Sequence, residues 1–302
     1  LFGEYSVLNH GKALVMPCDL FSGQLNFFGE ATDAKYAYRS NEYLKKFSAF
    51  IASQVDENFV LEVKRFEWEI NNGLFFESSI PQGYGLGSSG ALVVAIFLRY
   101  LKKAKEIKDE LKGLTIEKAY QLKTTLGKME SYFHGTSSGL DPLSIILNEP
   151  ILYKGMDQVE TAVLPTKNEE GDNHIFLLNT NMPRNTSNLV ARYHELYKEE
   201  GFRKKINDQL LGYTNESIDT FLGNYPYEFY QSLHRLVQFQ LEEMSAFIPA
   251  EFQNTIKKGI DNGDYFLKLC GAGGGGYMLG FTNNWGKTKA DLKGSVDSIY
   301  QY

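Results

Sequence analysis

The stretch PQGYGLGSSGALVVAIF, Pro81 to Phe97, decides how this chain is read. Inside it, Gly85-Leu86-Gly87-Ser88-Ser89-Gly90 satisfies the letters G-x-G-x-x-G, the spelling of a dinucleotide-binding turn. That fingerprint also needs a strand running directly into the first glycine and, ~20 positions on, an acidic residue closing a second strand. Here Pro81-Gln82 separates the glycines from the nearest β-rich run, Leu74 to Phe76, and the acids at the right distance, Asp109 and Glu110, sit in a charged helical stretch. No Gly-Lys-Ser/Thr follows, which excludes a Walker A loop. What remains is a Gly-rich loop ending in Ser88-Ser89 at the start of an apolar helix, whose backbone N–H groups and dipole suit an anion, phosphate above all. An ordinary N-cap on a core helix has the same letters, so both readings stand on this segment alone.

Composition narrows the partners. At 302 residues, with 43% apolar and 14% aromatic side chains, the chain can build a substantial core. The longest apolar run, Ala91 to Leu98, is far too short to span a bilayer, and no secretory signal opens the chain. Two cysteines, Cys18 and Cys270, rule out a disulfide framework and fit a cytosolic protein. The five histidines show no metal-ligand spacing, and a formal charge of −6 gives no cationic field for nucleic acid. The opening Leu1-Phe2-Gly3-Glu4 reads as the end of a strand, so the natural chain is expected to start earlier.

Periodicity sets out the elements. β-rich runs at Ala13 to Met16, Leu25 to Phe28, Phe59 to Val63 and Leu74 to Phe76 surround an amphipathic helical stretch near Asn41 to Gln54. A long apolar helix is expected from Gly90 to about Lys105, and another from about Thr115 to Tyr132. The lysine-rich Lys102 to Lys112, interleaved with Glu and Asp, reads as a solvated helix face. Thr166 to Asn173 is polar and marks a domain boundary, dividing the chain into residues 1–170 and 171–302. Beyond it come a strand at Ile175 to Leu178, mostly helix from Ser187 to Asn262, and two strands flanking Gly271 to Gly276. The fold class is α+β with two domains.

Two further segments bear on function. Gly271-Ala272-Gly273-Gly274-Gly275-Gly276 holds a backbone nearly stripped of side chains between two strands, at a heavy entropic cost. A tight hairpin needs only one or two glycines, so close approach of this backbone to a ligand is the stronger reading. In Glu130 to Pro142, a carboxylate at a helix end and a second, Asp141, on a Gly/Ser loop can converge, although each alone is equally a surface acid or a turn former.

Taken in order, these segments resemble the GHMP kinase superfamily, and the resemblance spans the chain. Gly3-Glu4-Tyr5-Ser6-Val7-Leu8 with Gly11-Lys12-Ala13 is similar to the first family motif, Pro81 to Ala91 to the phosphate-binding second, and Gly271 to Gly276 to the third. Mevalonate kinase is the nearest likeness: His134 to Asp141 resembles HGxPSGxD, Glu130 keeps the family's spacing to Asp141, and Met182-Pro183-Arg184-Asn185-Thr186 looks like VPRNT. Against the pattern, Tyr5 stands where mevalonate kinases usually have His, a Gly-Glu-Tyr start being more like phosphomevalonate kinases. Ser137 replaces a Pro and Cys270 a Thr. The family's Lys lies in a Pro-Gly-Lys segment expected upstream of Leu1.

The resemblance implies a ribosomal-protein-S5-like N-terminal domain followed by a ferredoxin-like C-terminal domain, with ATP and Mg²⁺ as cofactors. Phosphates would lie on Pro81, Gly83, Gly85, Leu86, Gly87, Ser88, Ser89 and Gly90, with Gly273 and Gly274. Ser89 and Glu130 would ligate Mg²⁺, which takes few protein oxygens, and Asp141 would be the base. Glu4, Tyr5, Arg184, Thr186 and Ala272 would face the acceptor, Arg184 gripping a carboxylate. The partner implied is a small alcohol, mevalonate or a relative, with neither nucleic acid nor membrane; a homodimer stays open. Phosphorylation of mevalonate's primary hydroxyl is expected first, with a phosphomevalonate or sugar kinase as the alternative and an inactive metabolite-binding regulator from a different class.

Overall fold

The apolar run after Gly87 folds as the helix Ser88–Tyr100, around which the first of two units is built. The computed structural model describes residues 1–30, 32–54, 59–102, 115–155, 158–183, 186–293 and 295–302. The first unit comprises residues 19–81 and 87–149, and the second comprises 1–18, 82–86 and 150–302. Lys103 to Lys112, expected as a charged helix face, lies outside the described residues.

In the first unit, Leu92, Val93, Val94, Ile96, Phe97 and Tyr100 are all buried, so this helix is apolar on most of its circumference, as a central helix must be. It packs against the helices Ile116–His134 and Leu140–Leu147 and against strand β2, Gly23–Phe27. β2 pairs antiparallel with β3, Leu74–Ser78, from Gly23 opposite Ser78 to Phe27 opposite Leu74. The helix Ala34–Ser53 starts where Asp33 accepts from the Lys35 and Tyr36 amides, a regular N-cap. Its Asn41 is buried and donates to the Ile70 and Leu74 carbonyls at 2.8 and 2.6 Å, fastening the helix to the start of β3.

One expected strand is corrected. Phe59 to Val63 forms no strand: Leu61 makes a lone bridge with Leu101, and Val63–Asn71 is a helix. β-branched and aromatic letters favour a strand locally, but Phe66 and Ile70 recur at helical spacing and bury one face, and that tertiary gain outweighs propensity. Within it Glu69, 5% exposed, accepts from Arg99 Nε and Tyr100 Oη at 2.7 Å each and from Arg65 Nε at 3.0 Å. Burial alone would raise its pKa; the hydrogen bonds from Tyr100 and Arg99 and the Arg99 charge hold it below the ordinary carboxylate value.

The second unit carries a four-stranded antiparallel sheet in the order β7-β8-β6-β9: Tyr265–Leu269, Tyr277–Thr282, His174–Asn179 and Val296–Gln301. Helices fill the connection between β6 and β7, and the short helix Trp285–Asp291 connects β8 to β9. This β-α-β-β-α-β order is the expected ferredoxin-like arrangement. The helices Pro226–Glu243 and Ala250–Asn262 pack against β7. A separate three-stranded sheet joins β1, Ala13–Val15, to β4, Ile151–Tyr153, and β5, Val159–Thr161. Phe2, Phe221, Phe229 and Phe281 form one ring cluster in the core of this unit. Among the described residues no helix is long and apolar enough to cross a membrane.

Candidate active site

Three left-handed glycines, Gly83, Gly85 and Gly87 with φ of 75°, 81° and 67°, turn the loop sharply into its helix. Gly87 is the residue before Ser88–Tyr100 and has no side chain to cap the first-turn amides, and the positive end of the helix dipole favours negative charge there. Ser89 stands in that first turn. Its Oγ donates to Glu130 Oε1 at 2.8 Å.

Glu130 is the organising group of the first unit. It projects from the Ile116–His134 helix, is 5% exposed, and also accepts from Ser137 Oγ. Burial pushes its pKa up and the negative charge of Asp141 pushes it further, to about 7, against the lowering pull of the two serine hydroxyls. A buried carboxylate held this way, beside a second acid, is a site that a cation would relieve.

Asp141 reaches this neighbourhood through close backbone packing. Gly139, with φ 71°, precedes the Leu140–Leu147 helix, and a Cβ there would lie 2.1 Å from the Lys123 carbonyl oxygen. Gly90 serves the same purpose from the other side, since a Cβ on it would meet Pro142 N at 3.1 Å and Asp141 Cβ at 3.4 Å. A Cβ on Gly87 would lie 3.8 Å from Asp141 Oδ2, so the exposed carboxylate sits next to the loop glycine and the N-terminus of its helix. Ser89, Glu130 and Asp141, far apart in sequence, are thus brought together.

The second unit contains the other expected site residues. Tyr277 N donates to the Tyr84 carbonyl at 3.2 Å, and Cys270 Sγ to the Gly85 carbonyl at 3.6 Å, so the loop segment 82–86 is seated on the third glycine motif. The glycines there meet the protein's own backbone. Cβ atoms on Gly273, Gly275 and Gly276 would fall 2.4 to 2.5 Å from Phe247 O, Met182 O and Tyr84 Cα, and the Gly274 and Gly276 amides donate to Phe247 O and Met182 O at 2.6 Å each. Close approach explains the glycine run, and in this structure the group approached is the polypeptide.

Glu4 and Tyr5 also have internal partners. Tyr5 is buried, stacks on Tyr193 at 4.5 Å and donates to the Ala272 carbonyl at 2.7 Å, which ties the first motif to the third. Glu4 accepts from Lys268, whose fully buried ammonium also donates to the Leu1 and Leu269 carbonyls. Arg184 and Asn185 lie outside the described residues, and Thr186 opens the helix Thr186–Lys198.

Comparison with known proteins follows this geometry. Residues 43–149 match the family described as GHMP kinases N terminal domain. The family likeness thus lies in residues 43–149. No curated protein matches its sequence. Three solved structures illustrate the fold likeness. L. major mevalonate kinase in complex with R-mevalonate is 16% identical over 97% of this chain and 87% of its own, with a TM-score of 0.64. Lactococcus lactis galactokinase complexed with galactose is 15% identical over 99% and 90%, at 0.60. Streptococcus pneumoniae phosphomevalonate kinase in complex with phosphomevalonate and AMPPNP is 14% identical over 100% and 96%, at 0.56. The chain therefore has the two-domain α+β GHMP kinase fold, and the N-terminal family match includes the helix start at Ser88 together with Glu130 and Asp141.

Ser137 is the residue that motif reading passed over. It stands where the resembled pattern has Pro, and its hydroxyl both donates to Glu130 and accepts from the Gly139 amide at 3.0 Å. Its spacing of seven from Glu130 was the available signal. Lys268 and Tyr193 had none, because a lysine in a strand and a tyrosine in a helix reveal their burial only in the tertiary structure.

Proposed function

We propose that this GHMP-fold protein transfers the γ-phosphoryl group of ATP to the primary hydroxyl of mevalonate. The observation that supports it most is Glu130, buried beside Asp141 and bonded to Ser89 at the start of a helix whose N-cap residue is a glycine. Phosphates would rest on that helix end and on the loop from Pro81 to Gly90, with Gly273 and Gly274 of the third motif also assigned to the nucleotide. Residues 1–170 and 171–302 are carried in this reading as the functional division.

The donor set fits Mg²⁺. Ser89 and Glu130 supply two oxygens, a number that suits an ion retaining water and phosphate ligands, and ionised Glu130 gains from a cation where metal-free it is pushed toward protonation. When bound, the ion neutralises charge on the transferring phosphoryl group. Asp141 accepts the proton of the attacking hydroxyl as the new P–O bond forms, and the buried, hydrogen-bonded Glu130 and Ser89 stay fixed while it does so. Arg184 remains the candidate for the acceptor's carboxylate.

ADP release with mevalonate, phosphomevalonate and galactose as acceptors tests the reading. Turnover of mevalonate is expected, falling about 10²-fold or more in Asp141→Asn. Activity on phosphomevalonate with silence on mevalonate would reassign the acceptor, and equal rates for wild type and Asp141→Asn would remove the base. The phosphomevalonate alternative is favoured by one feature, Tyr5, whose hydroxyl donates to the Ala272 carbonyl and keeps its acceptor capacity.

A further inference from the structure

We infer that the second unit holds an additional ligand site, for a planar aromatic ring bearing one anionic group, at the sheet end where the Pro226–Glu243 helix begins. An open cavity of about 670 Å³ lies there, a volume in the range of small-molecule sites. It involves none of the residues assigned above to phosphoryl transfer.

The helix is divided between two tasks. Phe229, Leu233, Leu236 and Val237 are buried in the core, whereas Tyr227, Tyr230, Gln231 and His234, spaced i, i+3, i+4 and i+7, line the cavity. Tyr227 is 71% exposed, a large ring that the core does not use. The floor is aromatic and already ordered: Phe266 is buried, Tyr230 leans on it with ring centroids 5.9 Å apart, and the His234 ring meets it edge-on at 6.0 Å. A flat ring entering the cavity gains aromatic contacts from this floor and from the unused Tyr227 ring.

Polar groups surround the rings. Asn173 and Asn283, from the ends of strands, join Gln231 as carboxamides able to donate and accept at a heteroaromatic edge, and Tyr230 Oη donates to Asn173 Oδ1 at 3.2 Å. Among the described residues no carboxylate lines the cavity, in a chain with six more acids than bases. Arg235 does, with its guanidinium over the Tyr213 ring at 6.0 Å and Nη2 donating to Glu216 at 2.6 Å. An incoming anion therefore competes with Glu216 for Arg235.

Two sources share this chemistry, a nucleoside monophosphate and a free aromatic acid. Calorimetric titration of the full chain with AMP, phenyl phosphate, adenosine and inorganic phosphate tests the site and separates them. AMP or phenyl phosphate is expected to bind at least about tenfold more tightly than the ring or the phosphate alone, and whichever of the two is tighter names the source. Tyr227→Ala and Arg235→Gln, both at exposed or half-exposed positions, should each weaken that binding about tenfold. Glu216→Gln should tighten it several-fold by releasing Arg235. Binding lost in Ser89→Ala but kept in Tyr227→Ala would move the ligand to the phosphate loop and overturn the inference, as would Glu216→Gln and Arg235→Gln acting in the same direction.

Discussion

Replacing Glu130 by Gln should make the metal-free protein more stable at pH 8 while abolishing its response to Mg²⁺ and ATP. The sign follows from linkage. Glu130 has a folded-state pKa raised from its ordinary 4.5 to about 7, so the folded chain binds this proton more tightly than the unfolded chain does. The Glu130 contribution to stability is therefore fully present below pH 4.5 and is lost as pH rises through 7. The gap between the two values, at about 1.4 kcal/mol per tenfold change in proton affinity, amounts to roughly 3 kcal/mol above pH 8. Gln removes that cost. It also turns a carboxylate oxygen into an NH₂ group facing Ser89 or Ser137, and re-aiming one hydroxyl costs about 1 kcal/mol. The net is roughly 2 kcal/mol of stabilisation at pH 8 and close to none at pH 5, where most of the wild-type penalty has already been relieved by protonation. Urea unfolding of both proteins in EDTA at the two pH values measures this. A difference that does not change with pH would refute the electrostatic account of Glu130. With Mg²⁺ and ATP added, the wild type should gain melting temperature and the variant should not.

Two other substitutions test how the site is built. Gly139→Ala places a Cβ 2.1 Å from the Lys123 carbonyl at a left-handed φ, so it should destabilise the chain by about 3 kcal/mol in urea and displace Asp141; a wild-type midpoint would show that the close packing is not required. Glu69→Gln should cost about 1–3 kcal/mol at pH 7, because Arg99 and Tyr100 lose an ionised partner. Glu69 has a lowered pKa, so its stabilisation is present above the ordinary carboxylate value and is lost as pH falls through the folded one. The Gln penalty should therefore shrink on acidification below about pH 4, a trend opposite in sign to that of Glu130.

The expected elements were found wherever periodicity was strong. Thr115 caps the Ile116–His134 helix, His174–Asn179 is a strand, and the glycine run lies between β7 and β8. Phe59 to Val63 was misread as a strand because Phe59, Val60 and Val63 are β-prone letters, whereas the helical face that begins at Val63 is buried only in the tertiary structure. Glu130 and Asp141 were legible as a spaced pair, but the perturbed pKa was not, since it arises from burial and from one carboxylate lying near another.

Pro81 to Phe97 shows the division most clearly. By itself the sequence determined that a Gly/Ser loop opens an apolar helix, because glycines permit left-handed turns and continuous apolar residues bury a helix on most sides. It also set the order of the three motifs, which carried the family resemblance. Tertiary structure alone decided which atoms of the chain pack against the glycines of the third motif. The letters of residues 271–276 show only a backbone open to close approach, whereas the fold shows that Gly273, Gly275 and Gly276 leave room for Phe247, Met182 and Tyr84 and that the Gly274 and Gly276 amides donate to the Phe247 and Met182 carbonyls. Local letters specify which conformations a segment can adopt. Which atoms then fill the space beside it depends on residues distant in sequence.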